Sequence, residues 1–203
     1  MKVVSIFENE KDCSKSLVVK EDTVFVIPSF LESVSDTEKW KLELNLEEEG
    51  VRASVIYAGY VKKALDLSVE TIHGAPNTKS NVQIRAVMEK GAKAKFSGNV
   101  HAKVKAKNAE GEVNIKGLAA GEGISWEVKP NLEVENENVK LDHKASLTSF
   151  NERQLMYLRS RGFEKAEASV MLQDGFLAEA VETILKDRQD QDLKRAIIEK
   201  IKR

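Results

Sequence analysis

Residues 139–163 read Val-Lys-Leu-Asp-His-Lys-Ala-Ser-Leu-Thr-Ser-Phe-Asn-Glu-Arg-Gln-Leu-Met-Tyr-Leu-Arg-Ser-Arg-Gly-Phe, and the spacing of the apolar residues changes within them. Val139, Leu141, His143, Ala145 and Leu147 alternate with polar residues, which is the period of a strand with one face turned inward. Leu155, Met156 and Leu158 then recur at helical spacing. Ser149 and Glu152 form an S-x-x-E capping box that predicts a helix start, and Gly162 supplies the stop. The chain is therefore expected to be β-rich over 1–148 and helical over 149–203.

Upstream of this junction the alternation repeats. It runs through Val82, Ile84 and Ala86, then Val100, Ala102, Val104 and Ala106, then Val113 and Ile115. It resumes at Ile124, Trp126 and Val128 and at Leu132 and Val134. Earlier strand candidates are 3–7, 23–27, 41–46 and 54–60. Short polar or glycine-bearing turns at 89–92, 108–111, 121–123 and 135–138 separate the runs. Many short strands at quasi-regular intervals fit a sandwich, a barrel or a solenoid. Three prolines and few two-residue hairpin signals favour stacked coils over a meander. Downstream, a second helix is expected over 164–173, closed by Gly175, and a third over 177–188. After a polar linker at 187–192, Leu193, Ile197, Ile198 and Ile201 form an amphipathic stripe.

Lysine plus arginine is 32 and aspartate plus glutamate 33, so the net charge is −1 and favours neither nucleic acid nor an anionic membrane. The charge is uneven: residues 1–50 hold twelve acidic and six basic side chains, residues 85–107 seven basic and one acidic. No apolar run approaches the ~18 residues of a membrane span. The N-terminus turns acidic too soon for a secretory signal. A soluble, cytoplasmic protein is expected. Cys13 is the only cysteine, so one chain cannot build an internal disulfide or a multi-thiolate metal site. It reads as a half-buried loop residue among Lys11, Asp12 and Lys15.

His101, Lys103, Lys105 and Lys107 read as the solvated row of a half-buried strand, because only Phe96 could act as a stacking platform for bases. His143 falls in register with Leu141 and Ala145, so it should point to the apolar face while Asp142 and Lys144 point away. That position suits either a satisfied core or interface histidine or a neutral metal ligand. One histidine makes no metal site, and a second ligand would come from another chain, from His73 or from His101. His73, before Gly74 and Pro76, reads as a turn residue at the surface. No Ser/His/Asp elbow, H-E-x-x-H or phosphate loop is present, so no enzyme is expected. The segment 155–185, with Gly162, Gly175 and small residues at crossings, also has a superficial likeness to a ubiquitin-associated three-helix module.

Several local marks occur together and in order. They are the His-x-x-Pro-x-Thr-x-Ser turn (His73, Pro76, Thr78, Ser80), Phe96-x-Gly98, Pro130-x-Leu132-Glu133-Val134, the strand with His143, the run from Gln154 through Tyr157, Leu158, Ser160 and Arg161 to Gly162, and Gly175-Phe176. From about Asp66 to Lys186 the chain thereby resembles the SufB/SufD family, scaffold proteins of iron–sulfur cluster assembly by the SUF system. The resemblance implies a right-handed parallel β-helix, its core at about 66–147, followed by a small helical domain. It implies a non-catalytic subunit that pairs through its β-helix, as a homodimer or with a SufB/SufD paralogue. It further implies docking of a SufC-like ABC-type ATPase through Tyr157, Leu158, Arg161, Gly162, Phe163, Gly175 and Phe176. His143 matches the family's interface histidine, so a transient iron or iron–sulfur cluster would sit there, flanked by Asp142 and Lys144. The chain departs from SufB-like members in three ways. Residues 115–119 and 124 hold no thiol, Lys144 replaces a glutamate, and the N-terminal region is short. These departures imply a SufD-like or minimal member. The alternative from the residues alone is a β-solenoid interaction module with no metal role.

Overall fold

Alternation of apolar and polar residues, carried through coil after coil, produces a parallel β-solenoid. The computed structural model describes residues 1–7, 12–28, 38–186 and 191–201, with the backbone alone for 199–201. The strands are β1 (Lys2–Ser5), β2 (Asp12–Val19), β3 (Thr23–Ile27), β4 (Glu38–Leu46), β5 (Arg52–Val61) and β6 (Ala64–His73). They continue with β7 (Lys79–Met88), β8 (Lys93–Ala102), β9 (Ala109–Ala119), β10 (Ser125–Val134) and β11 (Val139–Ser149). Three helices follow, α1 (Glu152–Ser160), α2 (Lys165–Leu185) and α3 (Gln191–Ile201). Odd-numbered strands form one six-stranded sheet, in the order β1-β3-β5-β7-β9-β11, and even-numbered strands a five-stranded one, β10-β8-β6-β4-β2. Every pairing is parallel: Arg52 lies opposite Lys79, Lys79 opposite Glu110, and Ala109 opposite Val139. The repeat of about 30 residues per coil is in the range of solenoid architectures.

Inward-facing residues of both sheets build one core. Leu42, Leu44, Leu67, Val69 and Phe96 meet Val55, Val82, Ile84, Val113 and Ile115, all fully buried. Gly98 permits the closest approach of the sheets, because a Cβ there would lie 2.4 Å from Val113 Cγ1. At one corner the chain turns through left-handed residues stacked in a column: Gly50 (φ 73), Asn77 (φ 58) and Asn108 (φ 56). The Asn77 amide donates to Lys107 O and that of Asn108 to Asn138 O. Asn108 Nδ2 donates to Asn77 Oδ1 (3.3 Å), and Asn77 Nδ2 to Glu49 Oε1 (2.9 Å). Asparagine tolerates this backbone region better than other side chains.

On the outer face of the even sheet, the register aligns Asp12, Lys39, Asp66, Lys95 and Glu127 in one row of strictly alternating charge. Like charges opposite one another are destabilising, so this row disfavours strand slippage.

Several expectations change. The alternation through Val104 and Ala106 is not strand: β8 ends at Ala102, and Lys103, Lys105 and Lys107 lie on the corner that follows. Cys13 sits in β2, half-buried opposite Trp40. Gly111 lies inside β9 rather than in a turn, at a point where an added Cβ would meet Val100, Leu141 and Ser80. Ser149 ends β11, and the cap of α1 is Asn151, whose Oδ1 accepts from Arg153 N at 3.0 Å. The second and third predicted helices are one, α2. It opens on a capping box between Glu164 and Glu167, and Gly175 lies in its middle. Glycine ends a helix only where the backbone turns left-handed, as at Gly162 (φ 97); Gly175 does not. The expected 187–192 linker falls mostly on residues 187–190, outside the described residues, as does the Ile201 side chain.

α2 and α3 pack on the outer face of the odd sheet. Ala180, Val181, Leu185, Leu193 and Ile197 cover Val24, Val26, Ile56 and Ala58. Lys194 pairs with Glu182 across the two helices. These helices direct their apolar faces to the solenoid instead of closing a free-standing three-helix bundle, which departs from a ubiquitin-associated module.

Candidate functional site

The last coil leaves its inward face open. Among the described residues β11 pairs only with β9, and β10 only with β8, so each presents an unpaired backbone edge. Leu141 and Leu147 point inward, because a Cβ on Gly111 would meet Leu141 and one on Gly117 would meet Leu147 and Trp126. Period-two geometry puts His143 and Ala145 on the same face, as the sequence predicts. A core position does not follow, however. His143 is exposed although its register partner Val113 is fully buried, because among the described residues no further coil covers this face. Trp126, Val128 and Leu132 of β10 flank it half-buried, with the Trp126 ring 5.1 Å from that of Phe96. Leu147 is 43% exposed. The end of the solenoid is thus an apolar floor rimmed by two free strand edges, with one imidazole upon it.

Asp142 and Lys144 lie on the opposite, outer face. Lys144 Nζ is 2.7 Å from Asp142 Oδ2 and 3.4 Å from Glu112 Oε1. The hydrogen bond from Lys144 holds the Asp142 carboxyl below its ordinary range, and the same pairings raise Lys144. These two residues therefore fix charges beside the edge, and the imidazole of His143 faces away from them.

Neither other histidine joins His143. His101 lies on the outer face of the even sheet, with Nε2 2.8 Å from Glu135 Oε1 and Nδ1 3.8 Å from Glu133 Oε2. His73 is not a surface turn residue: it ends β6, wholly buried. Thr78 Oγ1 donates to Ala75 O (3.0 Å), so it accepts from His73 Nδ1–H (2.8 Å). His73 Nε2 then accepts from Ser80 Oγ–H (2.9 Å), and Ser80 Oγ in turn accepts from Thr71 Oγ1–H (3.1 Å). Both nitrogens are satisfied by the neutral ring, and burial pushes its pKa down to about 4. The hydroxyls of Thr71, Thr78 and Ser80, at fixed offsets around His73, were the available sequence sign of this network. Among the described residues no group of three His, Cys, Asp or Glu side chains could hold a metal ion.

The helical residues form a second surface. α1 buries none of its side chains. Met156 (68% exposed), Tyr157 and Phe163 stand in solvent together with Val170 and Met171 of α2. Arg161 lies 5.3 Å over the Tyr157 ring, and Leu158 is half-buried. Gly175 and Phe176 border a groove of about 450 Å³ with Phe150, Met171 and Leu172, at the base of the α1–α2 hairpin. Tyr157, Leu158, Arg161, Gly162, Phe163, Gly175 and Phe176 all lie on the hairpin or at its root. Met156, Val170 and Met171 belong to the same exposed surface but were not among the residues expected to dock. Their sign was an apolar side chain on what would be the solvent side of each helix.

A family model described as SUF system FeS cluster assembly, SufBD core domain, matches residues 29–176. The chain belongs to the SufBD family. The SufBD match extends from upstream of β4 through the open end to the middle of α2, including His143, Gly175 and Phe176. Curated relatives named iron-sulfur cluster assembly SufBD family protein, from Staphylococcus epidermidis and Staphylococcus saprophyticus, are each 33% identical over 131 residues. One from Staphylococcus aureus is 32% identical over the same length. These alignments cover 64% of this chain and 28% of each relative, so the SufBD chain described here spans little over a quarter of the curated relatives it matches. No helix among the described residues is long and apolar enough to cross a membrane.

Proposed function

We propose that this chain is a scaffold subunit in iron–sulfur cluster assembly, which pairs through the open end of its solenoid and docks an ABC-type ATPase through its α1–α2 hairpin. The single observation that supports pairing is the uncovered last coil. Trp126, Val128, Leu132, Leu141 and Leu147 form an apolar floor beside two strands with free edges, and such surfaces associate unless they are covered. A second copy or a SufB/SufD paralogue would continue both sheets and cover the floor. His143 would then lie at the junction, where a neutral imidazole can ligate iron. The remaining ligands would come from the partner, and the nascent cluster is the cargo. No bond is made or broken by side chains of this chain in this reading, so it is not an enzyme. The functional division lies near residue 148: the solenoid up to there pairs, and the helices beyond it dock.

Docking through the hairpin is supported by Met156, Tyr157, Phe163 and Met171, which stay exposed around the groove at Gly175 and Phe176. An ATPase that changes shape with nucleotide could pull on this hairpin and so on the paired end. The test is size-exclusion chromatography with light scattering, done anaerobically with iron and sulfide, on the chain mixed with a SufC-like ATPase and with a SufB-like partner. A stable complex, lost on Leu132→Asp or Leu147→Asp, is expected. A chain that stays monomeric at micromolar concentrations beside both candidates would refute the proposal. A pairing module without metal is favoured by one observation, the lack of a co-ligand beside His143 among the described residues. Under that reading His143→Ala leaves iron retention by the complex unchanged; under the scaffold reading retention is lost while the complex persists.

A further inference from the structure

Arg85 lies in the middle of β7 on the outer face of the odd sheet and is wholly buried beneath α2. Its guanidinium is held mainly by the sheet itself. Nη1 donates to Ile84 O (3.1 Å) and to Asn114 O (3.2 Å), and Nη2 to Gln83 Oε1 (3.1 Å). Gln83 is in turn fixed by Asn81 (2.7 Å). Only Nε has no hydrogen bond, and it faces Glu179 Oε2 of α2 at 3.5 Å. Lys116 of β9 reaches the other oxygen of the same carboxylate at 2.9 Å. Glu179 itself is 46% exposed. The cationic side of the contact is thus built into the solenoid, and the anionic side rides on a helix at the rim.

α2 therefore rests on two different materials. Its C-terminal part, Ala180, Val181 and Leu185, sits on Val24, Val26, Ile56 and Ala58. Toward its middle it meets Arg85 and Lys116 instead, through Glu179. The Asn114 Oδ1 atom is buried without a hydrogen-bond partner, an arrangement that favours entry of water when the helix lifts. Further toward the N-terminus, Tyr60 Oη donates to Asp174 Oδ1 at 3.3 Å. Polar seams of this kind contribute little net stability compared with apolar ones of the same shape, but they penalise the loss of one partner heavily.

We propose that Arg85 and Lys116 form a preformed carboxylate seat on the solenoid, that Glu179 is the positioning residue that occupies it, and that α2 is a helix reversibly docked at that seat. The seat fixes where α2 lies along β7 and β9. If the hairpin is the ATPase-docking element, as proposed above, the same seat fixes the position of the hairpin relative to the paired end. The seat itself is tested without any partner, so its failure and that of the assembly reading are separable.

The experiment is native-state hydrogen exchange of the whole chain at increasing, sub-denaturing urea. Amides of α2 should exchange through an opening with little urea dependence, at least about tenfold faster than those of β7 and β9, which open only on global unfolding. Glu179→Gln should accelerate α2 by a further factor of about ten or more and leave β7 and β9 unchanged, because an unpaired buried guanidinium disfavours the seated helix. Arg85→Met combined with Glu179→Gln should return α2 to within about threefold of the wild-type rate, since an apolar seam seats the helix without the pair. Simple loss of packing gives no such rescue. Glu179 is half-exposed, so its substitution leaves a folded chain in which the readout stands even if the double variant does not fold. Exchange of α2 together with β7 in the wild type, or within twofold of wild type in Glu179→Gln, would overturn the proposal.

Discussion

Lowering the pH from about 7.5 to about 4.5 should destabilise the solenoid through His73, and removing that one imidazole should abolish the effect. The folded ring stays neutral down to about pH 4, because burial excludes the charged form. An unfolded imidazole takes up a proton below its ordinary value of 6.5. Between the two values the unfolded chain binds more protons than the folded one, so stability is complete above 6.5 and declines as the pH falls toward 4. Integrating that difference gives a loss of about 2.5 kcal/mol by pH 4.5. His73 is fully buried, so solvent screening does not reduce the figure. Protonation at Nε2 would also oppose the Ser80 hydroxyl proton, which already points at that nitrogen (2.9 Å). The assay is urea unfolding at a series of pH values for wild type and His73→Asn. Carboxylates titrate in both proteins, so the difference between the two curves isolates the imidazole. The stability gap between them should shrink by about 2.5 kcal/mol over this range. A gap that stays constant, or a His73 ring seen by NMR to titrate near 6.5 in the folded chain, would refute the reasoning.

Gly98→Ala should cost about 1–3 kcal/mol in urea unfolding, because its Cβ would overlap Val113 Cγ1; the double change with Val113→Ala should recover part of it. Asn77→Ala should cost about 1–2 kcal/mol through its left-handed backbone and two lost side-chain hydrogen bonds. Asn77→Gly should restore the backbone share, as thermal unfolding would show. Met156→Asp with Phe163→Asp should weaken binding of a SufC-like ATPase by at least about tenfold. Both side chains are exposed, so the melting temperature should not move.

The sequence carried the solenoid to the extent that burial was one-sided. β7, β9, β10 and β11 show period-two alternation and were readable. β2 and β6 escaped because their inward positions include Cys13, Lys15, Thr71 and His73, which do not look apolar in a sequence. The corner at 103–108 was misread as strand because Val104 and Ala106 continue the alternation by chance, and Val104 is 65% exposed. Asparagine at 77, 108 and 138 marks one end of the last three coils, a sign visible only once the repeat is known. Gly175 illustrates a limit of local reading: whether a glycine ends a helix depends on backbone handedness, and the partners of α2 lie more than fifty residues away on β5, β7 and β9.

At the candidate site, the face on which His143 lies was legible, and its exposure was not. Alternation states which side of a strand a residue takes but not whether another coil follows. The same holds for Arg85, which sits in an apolar run between Ile84 and Ala86 and whose partner Glu179 is supplied by a distant helix. The hairpin residues were legible only through family resemblance, because short helices with exposed apolar side chains have no physical pattern that names a partner.

Cross-linking mass spectrometry on the native complex, purified through a tag on this chain, tests the pairing end and the docking hairpin together. Lys129 and Lys144 lie at the open end and Lys165 at the start of α2, near the tip of the hairpin. Links are expected from Lys129 or Lys144 to a second SufBD-family chain or copy, and from Lys165 to an ABC-type ATPase. Links to such partners only from the outer face of the even sheet, for example from Lys39, Lys41 or Lys95, would contradict both assignments.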